Sequence, residues 1–278
     1  MGLLKNRVID LQVDTIRIRG VTAPGLRVAF KATKTLKPEP NTCEITIYNL
    51  SSDHRAALTK VKHPIVQLSA GYENDLTQVF FGQAVHVLHE RKGPDILTTV
   101  TTSDGGAKLQ TARVKQSFGA GTKAGDVLRA IVKTLGVKAG NLDATVKKLN
   151  AGKAASMYLE GMTLSGHAPY ELTALCRSAG LEWSIQDGAL QILDVGRTSA
   201  KFATVLGPDL LLSTPSLSDK NVVEGRTFLQ KDFLPGRQIQ IKHEFVTGAF
   251  RLEKCNYQGD THAEDWAVDF EAKGPPPK

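Results

Sequence analysis

Residues 40–52 read PNTCEITIYNLSS. Cys43, Ile45 and Ile47 alternate with Glu44, Thr46 and Tyr48, a period of two that puts one row on a core and the other in water. The alternation stops at Asn49. Ser51 or Ser52 then stands where a helix N-cap belongs, ahead of DHRAALTKV (53–61), whose Asp53 is set against the helix dipole. Upstream, Pro38 and Pro40 punctuate the connection. The stretch predicts a half-buried strand that feeds directly into a short capped helix.

The same period extends outward. Ile9, Leu11 and Val13 alternate with Asp10, Gln12 and Asp14, and Ile16 and Ile18 continue the pattern, as do Leu26, Val28 and Phe30. Pro64 ends the short helix and PIVQLSAGY begins another strand. TQVFFGQAVHVLHE, a turn at Lys92-Gly93-Pro94-Asp95, and DILTTVTTSD predict a long hairpin, so the first hundred residues read as a small barrel or sandwich with one inserted helix. The middle differs. DVLRAIVKTLG has Val127, Leu128, Ile131, Val132 and Leu135 at helical spacing, with Thr122 as the expected cap and Gly136 as the stop. APYELTALCRSAG predicts a second helix ending at Gly180, and the Asp187-Gly188 pair predicts a tight hairpin between LEWSIQ and ALQILDV. From about residue 196 strands return: NVVEGRTFL, RQIQIKHEF, GAFRLEKCNY and DWAVDFEA. Pro64-Ile-Val-Gln-Leu68 before a strand and hairpin is loosely echoed by Pro235-Gly-Arg-Gln-Ile239, a repeat too short to stand alone. The GPPPK tail is expected to be disordered.

The 278 residues suit about two domains of ordinary size. The 41% hydrophobic and 23% charged contents are those of a soluble globular chain. Met1–Ile9 lacks the apolar run of a signal peptide, and no window approaches the roughly 20 apolar residues of a membrane helix. Cys43, Cys176 and Cys255 lie far apart without a CxxC pair, so free buried thiols are expected rather than zinc or a disulfide framework. The net charge of +7 is confined to one segment. Between Arg113 and Lys153 stand Arg113, Lys115, Lys123, Arg129, Lys133, Lys138, Lys147, Lys148 and Lys153, opposed only by Asp126 and Asp143; elsewhere acids and bases are equal in number. Such asymmetry marks either a solvated helix surface or a face for an acidic protein or nucleic acid. Phe118 is the one aromatic residue within the segment, which argues against a base-stacking platform.

Motifs that carry chemistry were tested against their geometric requirements. Gly119-Ala-Gly121-Thr-Lys-Ala124 fits a GxGxxA pattern, but a dinucleotide site needs a parallel strand–helix–strand unit and none follows Gly136. His86 and His89 lie three apart on a predicted strand and so face opposite ways. Asp260, His262 and Glu264 would converge only on an extended stretch, and their composition favours a polar hairpin tip. Ser165-Gly166-His167 lacks the GxSxG frame of a nucleophile elbow. Acid pairs such as Glu160 with Glu171, or Glu264 with Asp265, cannot be recognised by spacing alone. No catalytic residue, metal ligand or cofactor is expected.

Taken in order, PNTCEITIYNLSSDHRAAL, QLSAGYEND, VFFGQAV and a hairpin ending TTSDG resemble the N-terminal domain of phage baseplate hub proteins. SGHAPYELTALCRSAGLEWSIQDGALQIL and LPGRQIQI…GAFRLEKCNYQGDTHAEDW resemble the middle and C-terminal parts of the same family, from about Ile9 to Ala272. The resemblance implies an α+β, mostly β chain: a first β-barrel domain over 1–107, a mixed α/β domain over 108–195, and a second barrel over 196–278. It implies a homotrimeric hub in the tail baseplate of a contractile phage of the Mu-like kind, related to hubs of type VI secretion, joining a hexameric tail tube to a trimeric spike. Implied partners are the spike, the tube or its initiator, wedge proteins and the tape-measure protein. DNA would pass through the lumen without specific binding, no membrane is contacted in the assembled state, and assembly takes place in the host cytoplasm. Within it, Arg113, Lys115, Lys123, Lys147, Lys148 and Lys153 are the expected partner interface. Two alternatives are a tail-associated glycan hydrolase, with one carboxyl pKa raised, and a nucleic-acid binder using residues 113–153, whose affinity would fall with salt.

Overall fold

Asn41 and Asn49 bracket the strand that the alternation predicts. Asn41 is buried. Its Oδ1 accepts from the Thr35 N–H at 2.8 Å, its Nδ2 donates to Asp104 Oδ2 at 2.9 Å, and its own N–H donates to Asp104 Oδ1 at 2.8 Å. Asn49 turns the chain at φ 54°, a left-handed conformation that asparagine tolerates; its side chain accepts from the Ile96 N–H and donates to Asp95. Leu50 is then buried, and Ser51 Oγ accepts from the His54 N–H at 3.3 Å to cap the helix. Strand, turn and capped helix follow one another as the sequence predicts.

The computed structural model describes residues 6–73, 75–151, 161–199 and 201–274. The first elements are β1 (Arg7–Val13), β2 (Ile16–Val21), β3 (Val28–Thr35), β4 (Thr42–Tyr48), α1 (Ser52–Lys60), β5 (Ile65–Tyr72), β6 (Asp75–Lys92) and β7 (Asp95–Ser103). Then come α2 (Gly106–Thr111), β8 (Arg113–Phe118), α3 (Ala124–Leu135), α4 (Leu142–Ala151), β9 (Met162–His167), α5 (Ala168–Ser178), β10 (Leu181–Gln186) and β11 (Ala189–Asp194). The chain continues through β12 (Phe202–Leu206), β13 (Ser216–Leu217), β14 (Val222–Thr227), β15 (Gln238–Lys242), β16 (Thr247–Asp260) and β17 (Trp266–Lys273). Strands outweigh helices, so the mostly-β α+β class holds.

Two separate closed barrels are not what the ladders form. Among the described residues, strands from both ends of the chain join one 13-stranded sheet in the order β13-β14-β17-β16-β3-β4-β7-β6-β5-β1-β2, with β15 also on β16 and β12 on β15. No ring of pairing closes. The reason lies in β3, which gives one edge to β4 and the other to β16, leaving no edge for β2. Instead Gly20 of β2 lets that strand lie close to β3, where a Cβ would meet Val28 Cγ2 at 2.7 Å. The echo between β5 and β15 is partial: each is antiparallel to the strand after it, but β15 is parallel to β12 while β5 is antiparallel to β1.

The β3–β16 seam is reinforced at one end. Arg27 donates to both carboxylate oxygens of Asp260, with Nη2 to Oδ2 at 2.8 Å, and lies 4.3 Å from the Tyr48 ring centre. Arg7 donates to the carbonyls of Asp260, Ala263 and Glu264 while standing 5.4 Å over Trp266. On the core side, Gly259 leaves the space that Phe30 and Trp266 fill, for a Cβ there would fall 2.5 Å from Phe30 Cε1. Lys34, opposite Cys255, is fully buried with its Nζ 5.7 Å from the Tyr257 ring centre.

The chain divides into two compact units, one drawn from the spans up to Thr35, Asn41–Asp104 and from Thr198 onward, the other from Leu36–Pro40 and Gly105–Arg197. The core of the first unites Phe30, Ile45, Leu68, Phe80, Phe233 and Phe270 with Cys43 and Cys255, and full burial of each large side chain is worth about 1.5–3 kcal/mol. The second packs Leu128, Ile131, Leu135, Leu172, Cys176 and Trp183. Here Gly136 stops α3 at φ 67° and Asp187-Gly188 turns with φ 53° and 74°, as predicted. Thr122 is not the cap of α3: Lys123 occupies that position without a side-chain bond, and Thr122 Oγ1 donates to the Gly119 carbonyl at 2.7 Å within the glycine turn. Helix α4 and the β8–β9 ribbon have no counterpart in the sequence reading.

Two outcomes follow. Asp260 is held below the ordinary carboxylate range: burial opposes this, but the bonds from Arg27 and from the His262 and Ala263 N–H groups outweigh it. A depressed carboxyl contributes stability that is present above its unfolded value and lost as pH falls through the folded value. Asp260→Asn should therefore lower unfolding free energy by about 2 kcal/mol at neutral pH, with the deficit shrinking in acid, as read by urea titration at several pH values. Burial also pushes the Cys176 and Cys255 thiols up to about 12, and all three cysteines are buried and outside disulfides. A thiol reagent at pH 8 should leave them unmodified in the folded protein and titrate them after denaturation.

Candidate assembly interface

The alternation that builds the core leaves a second, polar face on the same sheet. Register pairs Arg226 with Asp269, Asp269 with Asn256, Asn256 with Thr33, and Thr33 with Thr42. One row along, Gln258, Lys31, Glu44, Thr101 and His86 stand side by side on β16, β3, β4, β7 and β6. Thr46 and Thr99 extend the hydroxyl rows. Side chains knit across strands: Thr33 Oγ1 to Asn256 Oδ1 at 3.1 Å, Lys254 to Glu271 at 3.0 Å, Arg226 to Asp269 at 3.5 Å. Two recesses lie over this face, of about 450 Å³ above Lys31, Glu44, Tyr48 and Glu90 and about 370 Å³ above Glu224, Arg226, Asn256 and Glu271. Glu44, Glu90, Glu224, Asp260, Asp269 and Glu271 are set against Lys31, Lys92, Arg226, Lys254 and Lys273. The face is close to neutral, broad and hydrophilic. The sequence reading missed it because it needs the β3–β16 pairing, between residues more than two hundred positions apart.

The basic segment resolves into two groups. Arg129 bridges Asp143 at 3.0 Å and approaches Asp126 at 4.0 Å, and Lys148 grips Asp194 through 2.5 and 2.6 Å contacts. Helix α4 buries Leu142, Thr145, Val146 and Leu149 and turns Lys147 and Lys148 outward; Lys123 is exposed ahead of α3. Arg113 and Lys115 are on β8, where Val114 between them is buried. Among the described residues, Arg113, Lys115, Lys123 and Lys147 have no ion pair. Lys153 lies outside the described residues. The segment that is continuous in sequence is therefore a strand face, a helix face and a turn, with Arg129 and Lys148 of its helical cations answered by local acids.

Among the described residues, the tested motifs lie on a glycine turn, on β6, at the β16–β17 tip and at the end of β9. The GxGxxA turn is followed by α3, but β8 pairs with β9 antiparallel, so the parallel unit for a dinucleotide is missing. His89 bonds Thr98 and Thr59 through its two ring nitrogens, while His86 is exposed. Asp260, His262 and Glu264 belong to the tip between β16 and β17, where Asp260 accepts from the N–H groups of His262 and Ala263 at 2.8 and 3.2 Å. Ser165-Gly166-His167 ends β9, and His167 Nε2 bonds the Gln110 carbonyl at 2.8 Å. Glu160 lies outside the described residues. Among the described residues no group of three or more His, Cys, Asp or Glu side chains is placed to hold a metal ion.

No family model and no curated protein matches the chain. Among solved structures it is similar to the 43 kDa tail protein of prophage MuSo2 from Shewanella oneidensis, at 12% identity and a TM-score of 0.68, over 97% of this chain and 98% of that one. It is similar to the tail protein from Neisseria meningitidis MC58 at 9% identity and a TM-score of 0.66, over 96% of each. An Escherichia coli type VI secretion component, itself described as similar in structure to T4 phage tail proteins gp27 and gp5, matches at 10% identity and a TM-score of 0.60, over 96% of this chain and 77% of that one. At such identities the likeness speaks for the fold. This chain shares its fold with these tail and secretion proteins, in line with the resemblance its sequence carries.

Proposed function

We propose that this chain is a structural hub subunit of a contractile phage tail baseplate. The observation that carries the reading is the whole-length likeness in fold to tail proteins. In this reading the strand groups before residue 108 and after residue 195 act as two tube-like modules flanking the α/β part, and three copies close about a threefold axis. Three chains then offer six module positions, which matches a hexameric tail tube on one side and a trimeric spike on the other. The neutral polar face across β14, β17, β16, β3, β4, β7 and β6 would line the passage. With acids and bases in near balance and hydroxyl rows between them, it would let DNA pass without holding it. Wedge, tube-initiator and tape-measure proteins would complete its contacts, in the virion tail and, during assembly, in the host cytoplasm. The role is architectural, not enzymatic. Arg113, Lys115, Lys123, Lys147, Lys148 and Lys153 would face an acidic protein partner.

The experiment is the mass in solution, by light scattering, of the chain alone and mixed with the spike protein encoded beside it. A threefold mass is expected in at least the mixture. A strict monomer in both would contradict the reading.

A further inference from the structure

Of the cations that give the chain its positive excess, those on the β8–β9 ribbon stand out by their surroundings. Val114 and Leu164 turn inward and are buried. The opposite face carries three cross-strand pairs: Arg113 with His167, Lys115 with Ser165, Ser117 with Thr163. The Ser117 and Thr163 hydroxyls bond each other at 3.0 Å. Tyr170, 75% exposed, lies 5.0 Å from the His167 ring, centre to centre. These rows hold no carboxylate, whereas on the helices Arg129 and Lys148 already have theirs.

We infer that this ribbon face is the docking site for an extended acidic protein segment with carboxylates at every second position. The argument is one of charge and repeat. Arg113 and Lys115 are two residues apart on a strand, so they recur at about 6.7 Å along it. An extended peptide lying along the ribbon repeats its same-side side chains at that interval, so Glu-x-Glu meets Arg113-x-Lys115 in step. Ser165, and one of Ser117 and Thr163 beyond their mutual bond, add hydroxyl donors for the remaining carboxylate oxygens, and Arg113 can take one carboxylate through two parallel bonds. A nucleic acid fits less well, because single-strand sites interleave aromatic side chains among their cations, and here the rings of His167 and Tyr170 stand at one end only, with none paired to Lys115 or Ser117. The inference deepens the acidic-partner reading by assigning it to one of the two basic groups.

The test uses the full chain and a fluorescent peptide of alternating glutamate and threonine, read by anisotropy at low salt. The controls are a peptide of equal composition with its glutamates in one block, and oligo-deoxythymidine. The alternating peptide is expected to bind best, with its affinity falling about tenfold or more in Arg113→Glu/Lys115→Glu and holding within about twofold in Lys147→Glu/Lys148→Glu. Thermal unfolding should show both variants folded; if the ribbon double reversal unfolds, Lys115→Gln alone should still weaken binding severalfold. Loss in the helix variant but not the ribbon variant would overturn the ribbon assignment while sparing an acidic partner. Equal binding of the blocked peptide would overturn the alternating repeat, and tighter binding of the oligonucleotide would overturn the protein partner. Binding of none of the three probes would remove the acidic-partner reading itself, without touching the trimeric one.

Discussion

Strand β3 has to satisfy hydrogen bonds along both of its edges, and everything distinctive about the first unit follows from what it finds there. On one side is β4, its near neighbour in sequence; on the other is β16, from the far end of the chain. The pairing commits the register of both halves at once. A slip of β16 by one residue against β3 would send Cys255 and Tyr257 to the polar face and Asn256 and Gln258 to the core. Arg27 and Arg7 hold the same seam at the Asp260 hairpin tip through a carboxylate and three carbonyls. Loss of the seam would therefore split the sheet between its two strand groups rather than trim one edge.

A sheet joined in this way presents a polar surface wider than either strand group would have alone. Its charges are balanced locally by cross-strand contacts such as Lys254–Glu271 and Arg226–Asp269, so its character is hydrophilic rather than electrostatic. The positive excess of the chain resides elsewhere, in the second unit, and there too it is sorted. Acids on α3, α4 and β11 answer two of the helical cations, Arg129 and Lys148, while Lys133 and Lys147 on the helices and Arg113 and Lys115 on the ribbon have no ion pair among the described residues. The division fits the proposed reading, in which the broad face would let DNA pass and the smaller basic face would hold a partner.

Much of this was legible because it is local. Period-two alternation marked β1, β2, β3 and β4; Ser51 marked the start of α1; Gly136 and Asp187-Gly188 marked a stop and a turn. Each signal needs only a few neighbouring residues. What escaped depends on partners distant in sequence or on competing local bonds. Nothing in VAFKATKT says that its second edge belongs to KCNYQGD, so two barrels were expected where one sheet runs through. Leu142, Val146 and Leu149 have helical spacing, but they follow Gly140-Asn141 and sit among lysines that read as solvated surface, so α4 was passed over. Thr122 had the chemistry of a cap, and the glycine turn claimed its hydroxyl first. The interface residues were named from a count of charge along the chain, and such a count cannot distinguish Lys148, which grips Asp194, from Lys115, which has no such partner.

The central claim is that the seam makes one sheet whose polar face belongs to a threefold passage. Cryo-electron microscopy of an intact tail tip tests it most directly. The account expects three copies about the tail axis, each with an unbroken β4-β3-β16-β17 run and with Lys31, Glu44 and Asn256 facing the channel. Copies at the periphery of the particle, copies unrelated by a threefold axis, or a channel lined by other residues would contradict it.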